Sequence, residues 1–409
     1  MNHSYILGAL ALGLAASTNA ADWPSWRGPN RNGSTPESVA NESWGNEGPK
    51  LLWKAKAGVG FASITVADGR VFTLGNVDKS DMATLWSLDP ATGAKKWSRE
   101  WSSPLKPTMY EGGPNSSPVV DRSRIYVVIK PARIVCLEAA SGEAVWERDL
   151  SVESPVDMNA WGIIGSPLIT GDTLVLSYGT LGTALDKNTG KTRWTNGKGQ
   201  AGWNTPALAN MSGEPTLMTF GTNQLAAVRL RDGKSLWSLP FGEGYFCHSA
   251  DPIVNGDSVY VGSADHGGLV VKFGSGEPQT LWKHRLLGNF MVGSIVRDGH
   301  LYGINNCDVK DKAAALKCVN WETGKVLWEE PGYGWGSVIA LADKKVLLLS
   351  DKGEVTVARV TPERFERLAR FQAIGGKCWT PPTVANGRLY IRNGAGEIVC
   401  FDITGPKAG

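Results

Sequence analysis

The sequence predicts an all-β fold, an eight-bladed β-propeller with four-stranded antiparallel blades whose ring is closed by an N-terminal strand near Trp53. Three observations predict it. Tryptophan recurs at Trp53, Trp97, Trp146, Trp194, Trp237, Trp282 and Trp328, spaced by 43 to 49 residues. That is the period at which a unit too small to bury its own apolar face stacks on copies of itself. Glycine precedes tryptophan by four residues in five copies, at Gly93, Gly142, Gly190, Gly233 and Gly324. Between the tryptophans, short apolar or β-branched runs bounded by Gly, Asp and Asn read as strands joined by hairpins, four to a repeat.

From the start of the chain, residues 1–20 read as a signal peptide. Tyr5 to Ala16 is apolar but too short to span a bilayer, and Thr18-Asn19-Ala20 before Ala21 has the small-residue pattern of a signal-peptidase site. No Cys follows that site, so no lipid anchor is indicated, and a periplasmic or secreted location is expected. Residues 21–50 are rich in Pro and Gly, without helical or strand period, and are expected to lie extended on the propeller. Trp23, Trp26 and Trp44 would anchor this segment in surface grooves. Residues 51–409 form a single propeller domain.

The repeat is clearest from Ser166 to Trp194. Ser166-Pro167-Leu168-Ile169 opens an inner strand, a turn at Thr170-Gly171-Asp172 leads to a second, and Ala184 to Trp194 makes a hairpin ending in the indole. Its turn, Asp186 to Gly190, places an Asp that caps backbone N–H groups ahead of a Gly that takes positive φ. The Trp then falls on the outermost strand, where it can bury apolar area against the next blade and still find a partner for its N–H. Inner strands start near Ser63, Ser117, Ser166, Thr205, Ala250, Ser294, Ser337 and Pro381, which gives eight blades. Blade seven departs from the pattern, with Glu363 to Arg367 where Gly and Trp are expected. Blade eight is one strand short at its C-terminal end, and Leu51-Leu52-Trp53-Lys54 supplies the missing strand and removes two exposed edges.

Composition agrees: 50 Gly and 22 Pro suit an all-β chain with many turns. A net charge of +3 gives no ground for nucleic acid or an anionic membrane surface as a partner. A monomer is expected. Among the six Cys, Cys136, Cys318 and Cys400 share one strand position in non-adjacent blades and read as small buried hydrophobes. Cys247 and Cys307 fall in adjacent blades and are the pair to test as a bridge. None has metal-ligand spacing.

Cys136 to Trp146, Ala184 to Trp194 and Cys318 to Trp328 resemble the tryptophan-docking repeat of the PQQ-like propellers, the family of the quinoprotein alcohol dehydrogenases and of BamB-type outer-membrane assembly factors. Asp22 to Pro29 further resembles the opening of exported PQQ-like propellers abundant in planctomycete-type bacteria. The resemblance covers residues 51–405 and implies the fold strongly and the function weakly. In the dehydrogenases it implies pyrroloquinoline quinone (PQQ) on the axis between a Trp and a vicinal Cys-Cys disulfide, with a Ca²⁺ ion and an Asp base. This chain has no Cys-Cys dipeptide. The acid and amide side chains nearest the axis, Glu111, Asn115, Asp157, Asn159, Asn204 and Asp251, match no ligand motif, although oxygen ligands could converge from different blades.

Just before each inner strand, where propellers present residues to the channel mouth, the chain carries Phe61, Asn115, Trp161, Trp203 with Asn204, Phe246 with His248, Phe290, Trp335, and Cys378 with Trp379. Aromatic faces with a few polar groups suit a planar or sugar-like ligand, and they suit equally a packed channel core. Asn115, Trp161, Trp203, Asn204, His248, Trp335 and Trp379 are the candidate ligand site. His248, with Asp251 three residues on, is either an acid-base pair or a hydrogen-bonded turn histidine. No catalytic or metal-binding residue is assigned. The expectation is an exported, non-catalytic module binding a protein, peptide or glycan; the alternative is a PQQ- and calcium-dependent oxidoreductase.

Overall fold

The computed structural model describes residues 20–39, 44–45, 47–107, 110–158, 161–242, 248–274, 276–306 and 314–404. Among them, thirty-two strands form eight four-stranded antiparallel sheets. Blade 1 is Thr65–Ala67, Arg70–Asn76, Met82–Leu88 and Lys95–Ser102, and blades 2 to 7 repeat that order. Blade 8 takes Thr383–Ala385, Arg388–Arg392 and Glu397–Asp402 from the C-terminal end and Leu51–Lys56 from the N-terminal end. Trp53 sits opposite Cys400 in this closing pair. The expected eight-bladed ring with its borrowed strand is therefore observed.

Inner strands start at Thr65, Val119, Leu168, Ala207, Ile253, Ile295, Ser337 and Thr383, up to three residues after the positions read from sequence. The offset has a cause. In blades 2 to 4 the Ser or Thr two residues before the strand (Ser117, Ser166, Thr205) accepts a backbone N–H of the preceding blade on its side-chain oxygen, and the proline that follows has no N–H to give a ladder.

A layered triplet explains the core. Along one line across a blade, a large residue on the second strand faces a small one on the third and Trp on the fourth. Examples are Tyr126, Cys136 and Trp146; Tyr302, Cys318 and Trp328; and Phe72, Ser87 and Trp97. A small middle residue leaves room for the two rings to tilt together, 6.2 Å apart for Tyr126 and Trp146. Cys136, Cys318 and Cys400 fill that slot as free buried thiols, and burial pushes them up to about 11, 11 and 12 respectively. Cys247 and Cys307 lie outside the described residues, as do residues 1–19 of the expected signal peptide at 1–20.

In five blades the Gly four residues before the Trp serves the Trp of the preceding blade. A Cβ on Gly93 would lie 2.6 Å from Cε3 of Trp53, and one on Gly142 would lie 2.8 Å from Cε3 of Trp97. The same holds for Gly190 on Trp146, Gly233 on Trp194 and Gly324 on Trp282. The indole N–H of each of these five, Trp53, Trp97, Trp146, Trp194 and Trp282, then donates to a carbonyl in or beside that turn, for example Trp53 to Pro90 O at 2.9 Å and Trp146 to Lys187 O at 2.9 Å. The turn Gly is thus required twice, for positive φ (70° at Gly93) and for close approach.

Blade 7 lacks this tryptophan because Ala369 holds its register position, opposite Val357. Trp44, from the N-terminal segment, is 7% exposed and joins the same apolar cluster as Ala369 and Phe371. It stands edge-on to Phe371 at 5.5 Å, so an indole from elsewhere in the chain fills this blade's outer core. Arg392, fully buried, clamps the ring closure by donating to Ala62 O, Leu74 O and Gly58 O of blade 1 and its entry.

Where the sequence suggested surface grooves for Trp23 and Trp26, the N-terminal segment instead enters the central channel. Trp23, 1% exposed, exchanges both backbone hydrogen bonds with Val66 on the free edge of blade 1's innermost strand. Val120 N of blade 2 donates to Pro24 O, the Arg31 guanidinium donates to Ile169 O of blade 3, and Arg27 donates to Ser294 O beside blade 6. Ser34 bridges to Ala340 of blade 7. The innermost strands have one unpaired edge each, and this irregular segment uses the edges that the ring leaves open.

Candidate functional site

A relay of hydrogen bonds runs between blades at the base of the channel mouth. Ser63 N–H donates to Ser117 Oγ (2.8 Å), Ser117 N–H to Ser166 Oγ (2.9 Å), Ser166 N–H to Thr205 Oγ1 (2.9 Å), and Thr205 N–H to Asp251 Oδ1 (2.7 Å). Asp251 is the blade-5 member of this series. Its other oxygen accepts the indole N–H of Trp26 at 2.6 Å. Burial pushes the Asp251 carboxyl up to about 6, against the opposing pull of Arg27 and of the two donors.

Above this floor lies a cavity of about 250 Å³. Its wall is a collar of rings in successive contact. Phe290 meets Trp335 (5.4 Å), Trp335 meets Trp379 (4.9 Å), and Trp379 stacks on Phe61 (5.4 Å). Phe61 meets Tyr110 (5.5 Å), Tyr110 meets Trp161 (6.4 Å), and Trp161 meets Trp203 edge-on (4.9 Å). The blade-5 position, Phe246, lies outside the described residues. Trp26 closes the bottom. Asn115 lines the cavity and donates to the Tyr110 hydroxyl at 3.0 Å. On the rim, Lys377 sits 4.4 Å from the Trp379 ring centre and pairs with Glu111 at 2.9 Å.

Five of the seven candidate residues, Asn115, Trp161, Trp203, Trp335 and Trp379, are brought together around this space. Asn204 and His248 are not. Asn204 turns its amide into the scaffold, donating to Phe220 O (2.6 Å) and His248 O (2.8 Å). The His248 ring stacks on Phe220 at 4.1 Å and reaches Thr222 O with Nε2 at 3.1 Å. Burial pushes it down to about 4, so it is a neutral imidazole at pH 7. His248 and Asp251 hydrogen-bond to different partners, and the acid-base pair considered from their spacing does not form. Asp157 does not line this cavity, and Asn159 is outside the described residues.

Sequence reasoning missed Tyr110, Trp26 and the role of Asp251. The last had a signal: Asp251-Pro252 stands in register with Ser117-Pro118, Ser166-Pro167 and Thr205-Pro206. A carboxylate there keeps the acceptor that Ser or Thr supplies and adds a second oxygen for Trp26. Among the described residues, no group of three or more His, Cys, Asp or Glu side chains converges as a metal site.

A family model described as outer membrane protein assembly factor BamB, of the PQQ-like type, matches residues 43–110 and 101–330. The chain belongs to this PQQ-like propeller family. No curated protein matches it. Similar solved structures include BamB from Moraxella catarrhalis, with 16% identity and a TM-score of 0.63 over 87% of this chain and 99% of that one. They also include the quinohemoprotein alcohol dehydrogenase ADHIIG from Pseudomonas putida HK5, with 13% identity and a TM-score of 0.67 over 95% and 81%. A europium-containing methanol dehydrogenase gives 13% identity and a TM-score of 0.71 over 92% and 90%. At these identities the likenesses establish the fold, which assembly factors and dehydrogenases share.

The quinone implied by the resemblance to the dehydrogenases can be tested against the cavity. PQQ carries three carboxylates, and the described lining offers no Lys or Arg to meet them. Its charged member is the carboxylate of Asp251, with both oxygens already engaged. Lys377 on the rim is held by Glu111. Calcium would bring its own positive charge, but among the described residues no cluster of carboxylates converges to hold it and no Lys or Arg lines the cavity, so the described residues do not fit PQQ with calcium.

Proposed function

We propose that this PQQ-like propeller is a non-catalytic binding module that takes one ring-sized group of a protein, peptide or glycan partner into its channel mouth. The observation that supports this most is the aromatic collar over a floor whose polar groups are internally satisfied. Such a surface offers stacking area and few directional contacts, which suits holding a flat or ring-shaped group rather than activating one. Likeness to a family described as an outer membrane protein assembly factor favours a protein partner. We further propose that residues 1–20 are an export leader removed before Ala21. Among the described residues, no helix is long and apolar enough to cross a membrane.

The test is a titration of the protein, followed by tryptophan fluorescence, with aromatic peptides and short oligosaccharides, in wild type and in Trp335→Ala and Trp379→Ala. Saturable quenching by one class, weakened at least about tenfold in both variants at unchanged Tm, supports the reading. Equal binding by the variants, or no binding by any ring-bearing probe, contradicts it.

A further inference from the structure

Glu37 is 2% exposed, at the place where the N-terminal segment meets blade 8. Its carboxylate accepts three backbone N–H groups, from Ala21 (2.9 Å) and Asn386 on Oε1 and from Gly387 (2.7 Å) on Oε2. Asn386 and Gly387, at φ 53° and 72°, form the tight turn between the first two strands of blade 8 and aim both amides at the acid. Ala21 is held from its other side as well, since Asn386 N also approaches Ala21 O and its side chain donates to Asp22 Oδ1 at 2.8 Å. One residue upstream, Ala20 is exposed.

In the unprocessed chain these three donors are neutral. They hold the carboxylate by hydrogen bonds, but none of them brings it an opposite charge. One of the three, the Ala21 nitrogen, becomes a cation if the chain begins there.

We infer that the mature amino terminus is the α-ammonium of Ala21 and that it is the counter-ion of Glu37. The inference rests on the leader cleavage proposed above. Hydrolysis of the Ala20–Ala21 amide by a leader peptidase puts the hydroxyl of one water on the Ala20 carbonyl carbon and its hydrogen on the Ala21 nitrogen. The amine released has a pKa of about 8 and takes a proton from solvent, so it is an ammonium at pH 7. Its bond to Glu37 changes from amide to carboxylate into ammonium to carboxylate, the stronger kind. A start one residue earlier keeps a neutral amide at this nitrogen, and a start at Asp22 removes the donor.

The experiment releases the protein from a fusion with Ala21 as first residue, and compares it with a form carrying one added Gly and with the Nα-acetylated form. Each is made with Glu37 and with Glu37→Gln. The expected result is that the Ala21-first form has a folding equilibrium constant at least about tenfold above both blocked forms, and that Glu37→Gln abolishes this advantage. Equal stability of the three forms with Glu37, or an advantage that survives Glu37→Gln, would overturn the inference. Should Glu37→Gln not fold, acylation decides: the α-amine must react at least about tenfold more slowly in the native chain than in urea, and equal rates overturn the pairing. The amino-terminal mass of the exported chain tests the cleavage separately. A start other than Ala21 defeats both the cleavage and the inference, whereas a start at Ala21 without a stability advantage defeats the ion pair alone.

Discussion

The indole N–H of Trp26 donates to Asp251 Oδ2 at 2.6 Å and joins the channel-filling segment to blade 5. The two residues also divide the axis. Above them is the aromatic cavity of about 250 Å³; below is a second space of about 130 Å³ beside Arg27, Asn30, Arg31 and Asn32, bounded by blades 3 to 5. The depth of the candidate site is therefore set by a residue 225 positions away in sequence from the acid that holds it.

Asp251 should make stability fall as pH rises. Its folded-state pKa, about 6, lies above its ordinary value of 3.8, so between about pH 4 and 6 the folded chain binds more protons than the unfolded one. At about 1.4 kcal/mol per pKa unit the effect is about 3 kcal/mol. Asp251→Asn removes it. Denaturant unfolding of both proteins at pH 4, 5, 6 and 7 should show the wild-type advantage over the variant shrinking by that order as pH rises. A pH-independent difference would contradict the assignment.

Gly142 and Gly171 make a matched pair. Both have positive φ, 72° and 53°, but an added Cβ meets Trp97 at 2.8 Å in the first case and nothing within 4 Å in the second. Gly171→Ala should cost about 1 kcal/mol for backbone conformation alone. Gly142→Ala should cost about 3 kcal/mol, because it also lifts the indole off the next blade. Equal losses in urea unfolding would show that the close approach carries no energy.

Repetition made the fold readable. Because the Trp and Gly lock adjacent blades, they must recur at equal intervals, and a one-dimensional spacing carries the three-dimensional ring. The same logic placed Trp161, Trp203, Trp335 and Trp379, since each precedes an inner strand. What occurs once was not readable. The path of Trp23 and Trp26 depends on free strand edges that exist only after the ring has closed. His248 was misplaced because mouth position was inferred from chain order, whereas its ring turns away to stack on Phe220. Ala369 explains why blade seven broke the pattern, but nothing in the spacing pointed to Trp44 as its substitute.

That substitution can be tested by restoring the pattern. Trp44→Ala empties a buried site beside Phe371 and should cost about 3–5 kcal/mol. Adding Ala369→Trp, which places an indole at the position the other blades use, should recover part of that loss, and the same change with Trp44 present should destabilise by overpacking. Thermal unfolding of the three variants gives the answer. Further loss on adding Ala369→Trp to Trp44→Ala would contradict the equivalence.

The mouth is proposed to be a binding cage, and its described lining lacks the counter-charges a tricarboxylate quinone needs. The most direct measurement adds PQQ and Ca²⁺ at micromolar concentration to the protein, removes unbound quinone by gel filtration, and reads quinone absorbance and alcohol- or sugar-dependent dye reduction. No retained quinone and no dye reduction are predicted, by a preparation that still binds its ring-bearing ligand. Stoichiometric retention with dye reduction, both lost in Trp335→Ala or Trp379→Ala, would contradict the account and establish the oxidoreductase reading in its place.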